Sequence, residues 1–152
     1  MNETQENLAF MNKKGKEGCK MLSPSMHLRH FIVCNELVRH SPIESFDAMG
    51  IFDRFVAYEY PCVYTFSAAV GLFPAIANHP YQINIIALFN GNMLGEWKFV
   101  DAIVYDDNKV LNAVIKTNNF FIPDVGFLAF RVNVDSRNIG EVSFVAEKVS
   151  RV

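Results

Sequence analysis

The sequence predicts an all-β protein: an antiparallel β-sandwich of about eight strands with a flexible N-terminal tail. From Leu28 onward, blocks of β-branched and aromatic residues alternate with turn residues at intervals of about ten, which is typical of sandwiches and barrels. No segment after residue 45 keeps the apolar spacing i, i+3, i+4, i+7 over three turns, so long helices are not expected there. A single open sheet would leave one apolar face of each strand in water, so the strands must pack as two layers.

The length and composition predict one folded domain. A chain of 152 residues is long enough to bury one core. Hydrophobic residues make up 51% of the chain and charged residues 20%, as in globular rather than disordered proteins. Residues 1–26 are polar and form the predicted tail, and residues 27–152 form the single sandwich domain. The net charge of −2 offers no electrostatic footprint for nucleic acid.

Neither a membrane span nor a secretory signal is expected. The apolar run 66–77 is interrupted by Ser67, Gly71 and Pro74 and is shorter than the roughly 18 to 20 apolar residues that a span needs. The N-terminus, "MNETQENLAF", has neither the basic start nor the apolar core of a signal peptide. The 3 cysteines cannot all pair within the chain and form no CxxC motif. Reduced thiols in a cytoplasmic protein are therefore expected.

The predicted strands of the first half begin with residues 28–36, "LRHFIVCNE", followed by a polar loop. The second strand covers residues 50–60 and contains "GIFDRF". The third, residues 64–73, alternates large apolar side chains on one face and is closed by Pro74.

In the second half, the strand 81–89 alternates cleanly and runs into Asn90-Gly91. This dipeptide is the strongest short hairpin signal, because both turn positions need positive φ. The next strand, 96–105, is apolar on both faces, which predicts either a central strand covered on both sides or a dimer interface. The remaining predicted strands are 109–121, 127–135 and 139–149, and consecutive hairpins are expected to join most of the strands.

Three segments in a fixed order carry a family resemblance: "FIVCNE", "GIFDRF" with Tyr60-Pro61 after it, and "FFIPDVGFLAFRVNVDSRNIGEVSF". Over residues 28–148 this order resembles a family of small bacterial proteins and domains of uncharacterised function. In that family a Gly-Ile-Phe-Asp strand ends in Phe-Pro or Tyr-Pro, and a Pro-x-x-Gly turn precedes a strand ending in Val-Asp. The resemblance implies a β-sandwich that is immunoglobulin-like in general appearance, and it implies no activity.

Asp53 and Arg54 are adjacent charges inside an apolar strand. Burying an unpaired charge costs several kcal/mol, so the pair needs a structural explanation. Neighbours on a regular strand point to opposite faces, so the two are not expected to pair with each other. A bulge near Gly50, a strand end, or a partner such as Asp101 for Arg54 would each solve the problem. We predict that at least one of the two charges makes a salt bridge or several backbone hydrogen bonds.

The candidate binding residues are aromatic side chains placed beside charges. Tyr58 and Tyr60 follow Arg54 on one face of its strand, and Trp97 shares a strand face with Asp101. Sandwiches that bind sugars stack apolar sugar faces on exposed rings and use carboxylates for the hydroxyls. Together with Asp53, these residues form the candidate site for a glycan or a protein. Packing of Trp97 in the core or in an oligomer is the favoured alternative.

No catalytic or metal site is predicted. The four histidines have no carboxylate placed to complete a metal set, and Cys62 has no basic neighbour to activate its thiol. No nucleophile elbow, Walker loop or dinucleotide fingerprint is present, so no cofactor is expected.

These observations predict a non-catalytic interaction module for a protein or glycan partner. The alternative is a self-associating structural subunit, a homo-oligomer in which the doubly apolar strand is buried against a copy of itself. A metal-dependent enzyme on a sandwich or cupin-like scaffold is the third hypothesis. No membrane or nucleic-acid partner is expected.

Overall fold

The computed structural model describes residues 25–40, 45–106 and 109–150. The predicted N-terminal tail lies outside these residues except for its last two positions. Within them the chain forms strands and no helix: β1 His27–His40, β2 Ser45–Ile51, β3 Arg54–Ala57, β4 Cys62–Ala75, β5 Tyr81–Phe89, β6 Asn92–Ala102, β7 Lys109–Ile122, β8 Gly126–Val134 and β9 Arg137–Lys148.

The strands form two packed sheets, which confirms the predicted β-sandwich. One sheet has four strands in the order β2-β1-β4-β7, and the other has five in the order β3-β9-β8-β5-β6. Immunoglobulin domains likewise place strands B and E in one sheet and C, F and G in the other. In this chain β4 and β7 occupy the positions of strands B and E, and β5, β8 and β9 occupy those of strands C, F and G. The fold is therefore immunoglobulin-like in general appearance.

The described residues hold nine strands, against the prediction of about eight, but the predicted connectivity is wrong in two respects. β3 pairs with β9 in parallel rather than antiparallel. Only β1–β2, β5–β6 and β8–β9 are hairpins within one sheet, and the other five connections cross between the sheets. The reason is that a strand with one apolar face has the same sequence pattern whichever sheet it joins.

The predicted second strand, residues 50–60, is divided between the two sheets. β2 ends at Ile51 and β3 begins at Arg54, because the chain turns inward at Phe52. The Phe52 ring packs edge-on against Phe55 at 5.3 Å between ring centroids, and its amide donates to the Val33 carbonyl at 3.1 Å. Burial of one large ring therefore outweighs continuation of the strand.

The core between the sheets is built largely from aromatic rings. Phe55, Phe66 and Phe130 are fully buried. The centroid of Phe66 lies 5.5 Å from that of Phe55 and 6.2 Å from that of Phe130, both in edge-to-face geometry. Such pairs prefer this geometry and contribute about 0.5–1.5 kcal/mol beyond the area they bury. Because β4 carries Phe66 and the other sheet carries its two neighbours, these contacts hold the sheets together.

β6 is an edge strand, which corrects the prediction of a central strand covered on both sides. Opposite β5, Phe99 pairs with Ile83 and Ala102 with Tyr81, so β6 carries one extra residue at this point, and Asp101 adopts a φ of 55°. Such a bulge reverses which side chains face inward. The predicted shared face of Trp97 and Asp101 is therefore wrong, because an uninterrupted alternation was assumed.

Candidate functional site

The predicted site residues fall into two separate groups. Asp53, Arg54, Tyr58 and Tyr60 lie at or beside β3, whereas Trp97 and Asp101 lie in β6. These strands are the two opposite edges of the five-stranded sheet, with three strands between them. The structure therefore does not bring the six residues together into one site.

Arg54 forms a small ion cluster on the β3 edge. Its Nη1 lies 3.2 Å from Glu147 Oε2 of β9, and its Nε lies 3.4 Å from Asp53 Oδ1. The predicted salt bridge is therefore confirmed, and the expectation that Asp53 and Arg54 would not pair is wrong because Asp53 precedes the strand. The hydrogen bond that Arg54 donates to Asp53 and the negative charge of Glu147 both raise the pKa of Arg54. The suggested partner Asp101 instead accepts a hydrogen bond from Gln82.

The Tyr60 hydroxyl makes hydrogen bonds to the backbone of the fold. Its hydroxyl donates to the Glu147 carbonyl oxygen at 2.6 Å and lies 3.3 Å from the Phe55 carbonyl oxygen. Burial raises the pKa of Tyr60 to about 12, with smaller contributions from neighbouring groups. Tyr58 is half exposed in the bend after β3, so the two tyrosines do not form one exposed aromatic face.

Trp97 packs on the core. Its ring stacks on Phe120 at 6.0 Å between centroids and lies 6.2 Å from Phe130. Phe120 and Phe130 belong to the buried cluster between the sheets, and Trp97 is one of the partly buried residues packed against it. One face of the ring is therefore occupied by the core.

The outer face of the five-stranded sheet carries an apolar surface that sequence analysis missed. We call it the outer patch and define it as Leu88, Met93, Phe127, Ala129 and Val145. The exposed fraction of the residue is 66% for Phe127, 59% for Met93 and 40% for Val145. Phe127 is directly opposite Val145, and Leu88 is opposite both Ala129 and Met93. The patch is therefore continuous across β9, β8, β5 and β6.

Ion pairs border the outer patch on two sides. Arg54, with its two carboxylates, is opposite Val145 in the β3–β9 pairing. Arg131 Nε lies 3.1 Å from Glu141 Oε1, in the next cross-strand row of the same face. An apolar centre with a polar, partly exposed rim is the usual anatomy of a protein–protein interface, and Phe, Met and Arg are enriched there.

A shallow polar groove of about 330 Å³ lies farther along the same outer face. Its lining includes Gln82, Asn84, Lys98, Asn133 and Ser136. Asn84 and Asn133 are opposite each other on β5 and β8, and Lys98 is opposite Asn84 from β6. Asn84 Oδ1 is buried and has no hydrogen-bond partner in the described part of the chain. This groove extends the outer face beyond the patch with amide and ammonium groups.

Neither of the two thiols in the described part of the chain is an activated nucleophile. Cys34 is fully buried, and desolvation raises the pKa of its thiol. Cys62 is partly buried at the start of β4, and burial raises the pKa of its thiol as well. Because the thiolate is the reactive form, both environments disfavour nucleophilic chemistry.

Two of the described histidines each lie beside one carboxylate. His40 Nε2 lies 2.7 Å from Asp47 Oδ2, and His79 Nε2 lies 3.1 Å from Asp135 Oδ2. No group of three or more His, Cys, Asp or Glu side chains suited to a metal ion occurs within residues 25–40, 45–106 and 109–150. Those same residues contain no helix long and apolar enough to cross a membrane.

Comparison with known proteins gives a similar structure and no family. No protein-family model matches the sequence, and no curated protein is similar to it. Among solved structures, the chain is similar to an immunoglobulin-like protein from Pseudomonas aeruginosa. The two are 13% identical, the match covers 82% of this chain and 98% of that chain, and the TM-score is 0.42.

Proposed function

We propose that the protein is a non-catalytic binding module that docks a partner protein on the outer patch. The observation that carries this proposal is the continuous apolar surface centred on Phe127 and Val145, bordered by the ion pairs of Arg54 and Arg131. Exposed contiguous apolar surface is costly in water, and a polar border is the mark of an interaction site.

A protein partner fits this surface better than a glycan does. Apart from Phe127, the outer patch consists of aliphatic side chains and a methionine, which pack against other side chains but offer no acceptor for sugar hydroxyls. The rings of Trp97 and Tyr60, which would have served as stacking platforms, are turned toward the core and toward β9. Arg54 and Arg131 supply charged contacts at the rim of a protein interface.

The proposal is tested by placing a photo-crosslinking phenylalanine analogue at position 127. Phe121 is the matched control, because it is also an exposed phenylalanine in a strand but lies in β7 of the other sheet. A protein crosslinked from position 127 and not from position 121 is then purified, and its affinity is measured by titration calorimetry.

The expected result is that Phe127→Asp weakens binding of that partner by at least about tenfold, whereas Phe121→Asp leaves the affinity unchanged. Equal losses in both variants, or no loss in either, would contradict docking at the outer patch. Binding of a purified oligosaccharide that Phe127→Asp abolishes would replace the protein partner with a glycan.

A self-associating subunit remains the second candidate function. The observation that favours it is the open edge of β6, which is a different surface from the outer patch.

A further inference from the structure

We propose that β6 pairs antiparallel with β6 of a second copy of this chain, with Trp97 on the two-fold axis. The β6 edge is open: among the described strands, only β5 pairs with it. An edge strand presents unpaired backbone donors and acceptors, so it can pair with another strand. The two five-stranded sheets would then join into one sheet of ten strands.

The opposite edge of the same sheet is closed. At β3, the Tyr64 hydroxyl donates to the Val56 carbonyl oxygen at 2.6 Å and accepts from the Val56 amide nitrogen at 2.8 Å. One side chain therefore occupies the two backbone groups with which a further strand would pair. Tyr64 belongs to β4 of the other sheet, so this edge is covered from across the sandwich. No such side-chain contact to the β6 backbone occurs in the described part of the chain.

The sequence of β6 is complementary to itself in antiparallel pairing. The strand runs from Asn92 to Ala102, and Trp97 is its midpoint. With Trp97 opposite the partner's Trp97, Glu96 is opposite the partner's Lys98, and Lys98 is opposite the partner's Glu96. The pairing therefore contains two oppositely charged cross-strand pairs, which stabilise a sheet.

The charges of β6 are available for this pairing. Glu96 and Lys98 are exposed, and neither makes an ion pair or side-chain hydrogen bond with the described residues. The other long edge strand, β7, carries Lys109 and Lys116 and no carboxylate, so a copy of β7 would supply no counter-charge. Charge complementarity therefore selects β6 as the self-pairing edge.

The positions on either side of Trp97 on the same face of β6 are matched in the same register. Gly95 is opposite the partner's Phe99, and an aromatic ring across from a strand glycine covers the backbone that glycine leaves bare. The nearest atoms to a Cβ built on Gly95 belong to Trp97 and Phe120 at 3.6 and 3.7 Å, so the position is not crowded.

The regular part of β6 is centred on the same residue. Pairing with β5 is uninterrupted from Gly95 to Phe99, and register shifts lie on either side of that segment. Its midpoint is again Trp97. Bulges and charged side chains are also devices that prevent edge strands from pairing. If the bulges and charges of β6 prevented pairing in this way, the chain would stay monomeric in sedimentation.

The test is a charge exchange measured by sedimentation equilibrium from about 1 to about 500 µM, since dimer content depends on concentration. The wild-type chain is expected to reach twice its monomer mass. Lys98→Glu and Glu96→Lys each place like charges opposite each other, so each is expected to weaken dimerisation at least about tenfold. The double exchange E96K/K98E restores both opposite pairs and is expected to dimerise like the wild type.

Two controls separate pairing from misfolding. Lys116→Glu makes the same change on β7 and is expected to leave the dimer intact. An equimolar mixture of the two single variants is expected to form a heterodimer, because one supplies two carboxylates and the other two lysines. A wild-type monomer over the whole range, single variants that dimerise normally, or a double exchange that does not recover would each overturn the proposal.

The dimer would present both outer patches on one side of the joined sheet, because residues directly opposite in an antiparallel pair share a face. The two patches of one dimer could then bind two sites on a partner. Such bivalent binding rests on the proposed function, but formation of the dimer does not. Sedimentation uses the purified chain alone, whereas the calorimetric test of Phe127→Asp can be made on the monomeric Lys98→Glu background. Failure of one proposal is therefore distinguishable from failure of the other.

Discussion

The Tyr64 hydroxyl lies 2.6 Å from the carbonyl oxygen and 2.8 Å from the amide nitrogen of Val56, so one side chain serves both backbone groups of that residue. Tyr64 lies in β4 of the four-stranded sheet, and Val56 lies in β3 of the five-stranded sheet. The contact therefore fastens a strand of only four residues to the opposite sheet. A strand this short has few ladder bonds of its own, so the tyrosine supports the edge.

Removal of that hydroxyl is expected to destabilise the fold. Tyr64→Phe leaves a partly buried donor and acceptor without their partner, which costs about 1–3 kcal/mol of unfolding free energy. Urea denaturation followed by circular dichroism measures the change. Tyr105→Phe, at an exposed tyrosine, is the matched control and is expected to stay within about 0.5 kcal/mol of the wild type. Equal stability of the two variants would show that the Tyr64–Val56 contact contributes nothing.

Strand positions with uninterrupted patterns were predictable from the sequence. The predicted strand 81–89 matches β5, because its alternation runs without a break into Asn90-Gly91. Both turn residues have positive φ, 48° and 86°, as that dipeptide predicts. The two-layer arrangement followed from the same alternation, since each strand needed a partner layer for one apolar face.

Breaks in the pattern were not predictable, because long-range packing decides them. The inward turn at Phe52 depends on rings supplied by Phe55 and Tyr64, and the bulge at Asp101 depends on the register with β5. The outer patch was not predicted for the same reason. Phe127 and Val145 each stand among the polar positions of their strands, which is the one sign in the sequence that they are exposed. Only the strand order shows that the two are neighbours.

The raised pKa of Tyr60 predicts a loss of stability at high pH. Its pKa is about 12 in the folded chain against 10.0 for the ordinary side chain, chiefly because burial disfavours the phenolate. Below pH 10 the group is protonated in both states and its contribution is fully present. As pH rises toward 12, the unfolded chain loses this proton first, so the contribution is lost.

The measurement compares denaturation midpoints of the wild type and Tyr60→Phe at about pH 9 and about pH 11.5. Loss of the hydrogen bond to Glu147 lowers the variant's midpoint at both values. The expected signature is a smaller gap between the two proteins at the higher pH, because phenylalanine does not ionise. A gap that stays constant would mean that Tyr60 titrates normally in the folded chain.

Cys34 is expected to resist alkylation in the folded state. Its side chain is fully buried, its thiol lies 3.4 Å from the Glu36 carbonyl oxygen, and its pKa is raised. With iodoacetamide near pH 8, peptide mass spectrometry should find Cys62 modified before Cys34, since Cys62 is only partly buried. In urea the two should react at similar rates. Equal rates in the native protein would contradict the packing of β1 against its neighbours.

The β8–β9 turn is expected to become more stable with glycine at position 136. Asp135 and Ser136 form this two-residue turn, between the paired residues Val134 and Arg137, with φ values of 49° and 68°. Two positive φ angles define a type I′ turn, in which Asp-Gly is favoured because glycine adopts φ > 0 without a steric cost.

Ser136→Gly should therefore raise the unfolding free energy by about 0.5–1 kcal/mol, since relief of backbone strain exceeds the added freedom of the unfolded chain. Asp135 already supports the turn by accepting the Gln82 amide at 2.9 Å, so the aspartate is retained. Ser143→Gly is the matched control, because Ser143 lies within β9, where glycine weakens a strand. Urea denaturation should show the two variants moving in opposite directions, and a destabilised Ser136→Gly would contradict the type I′ geometry.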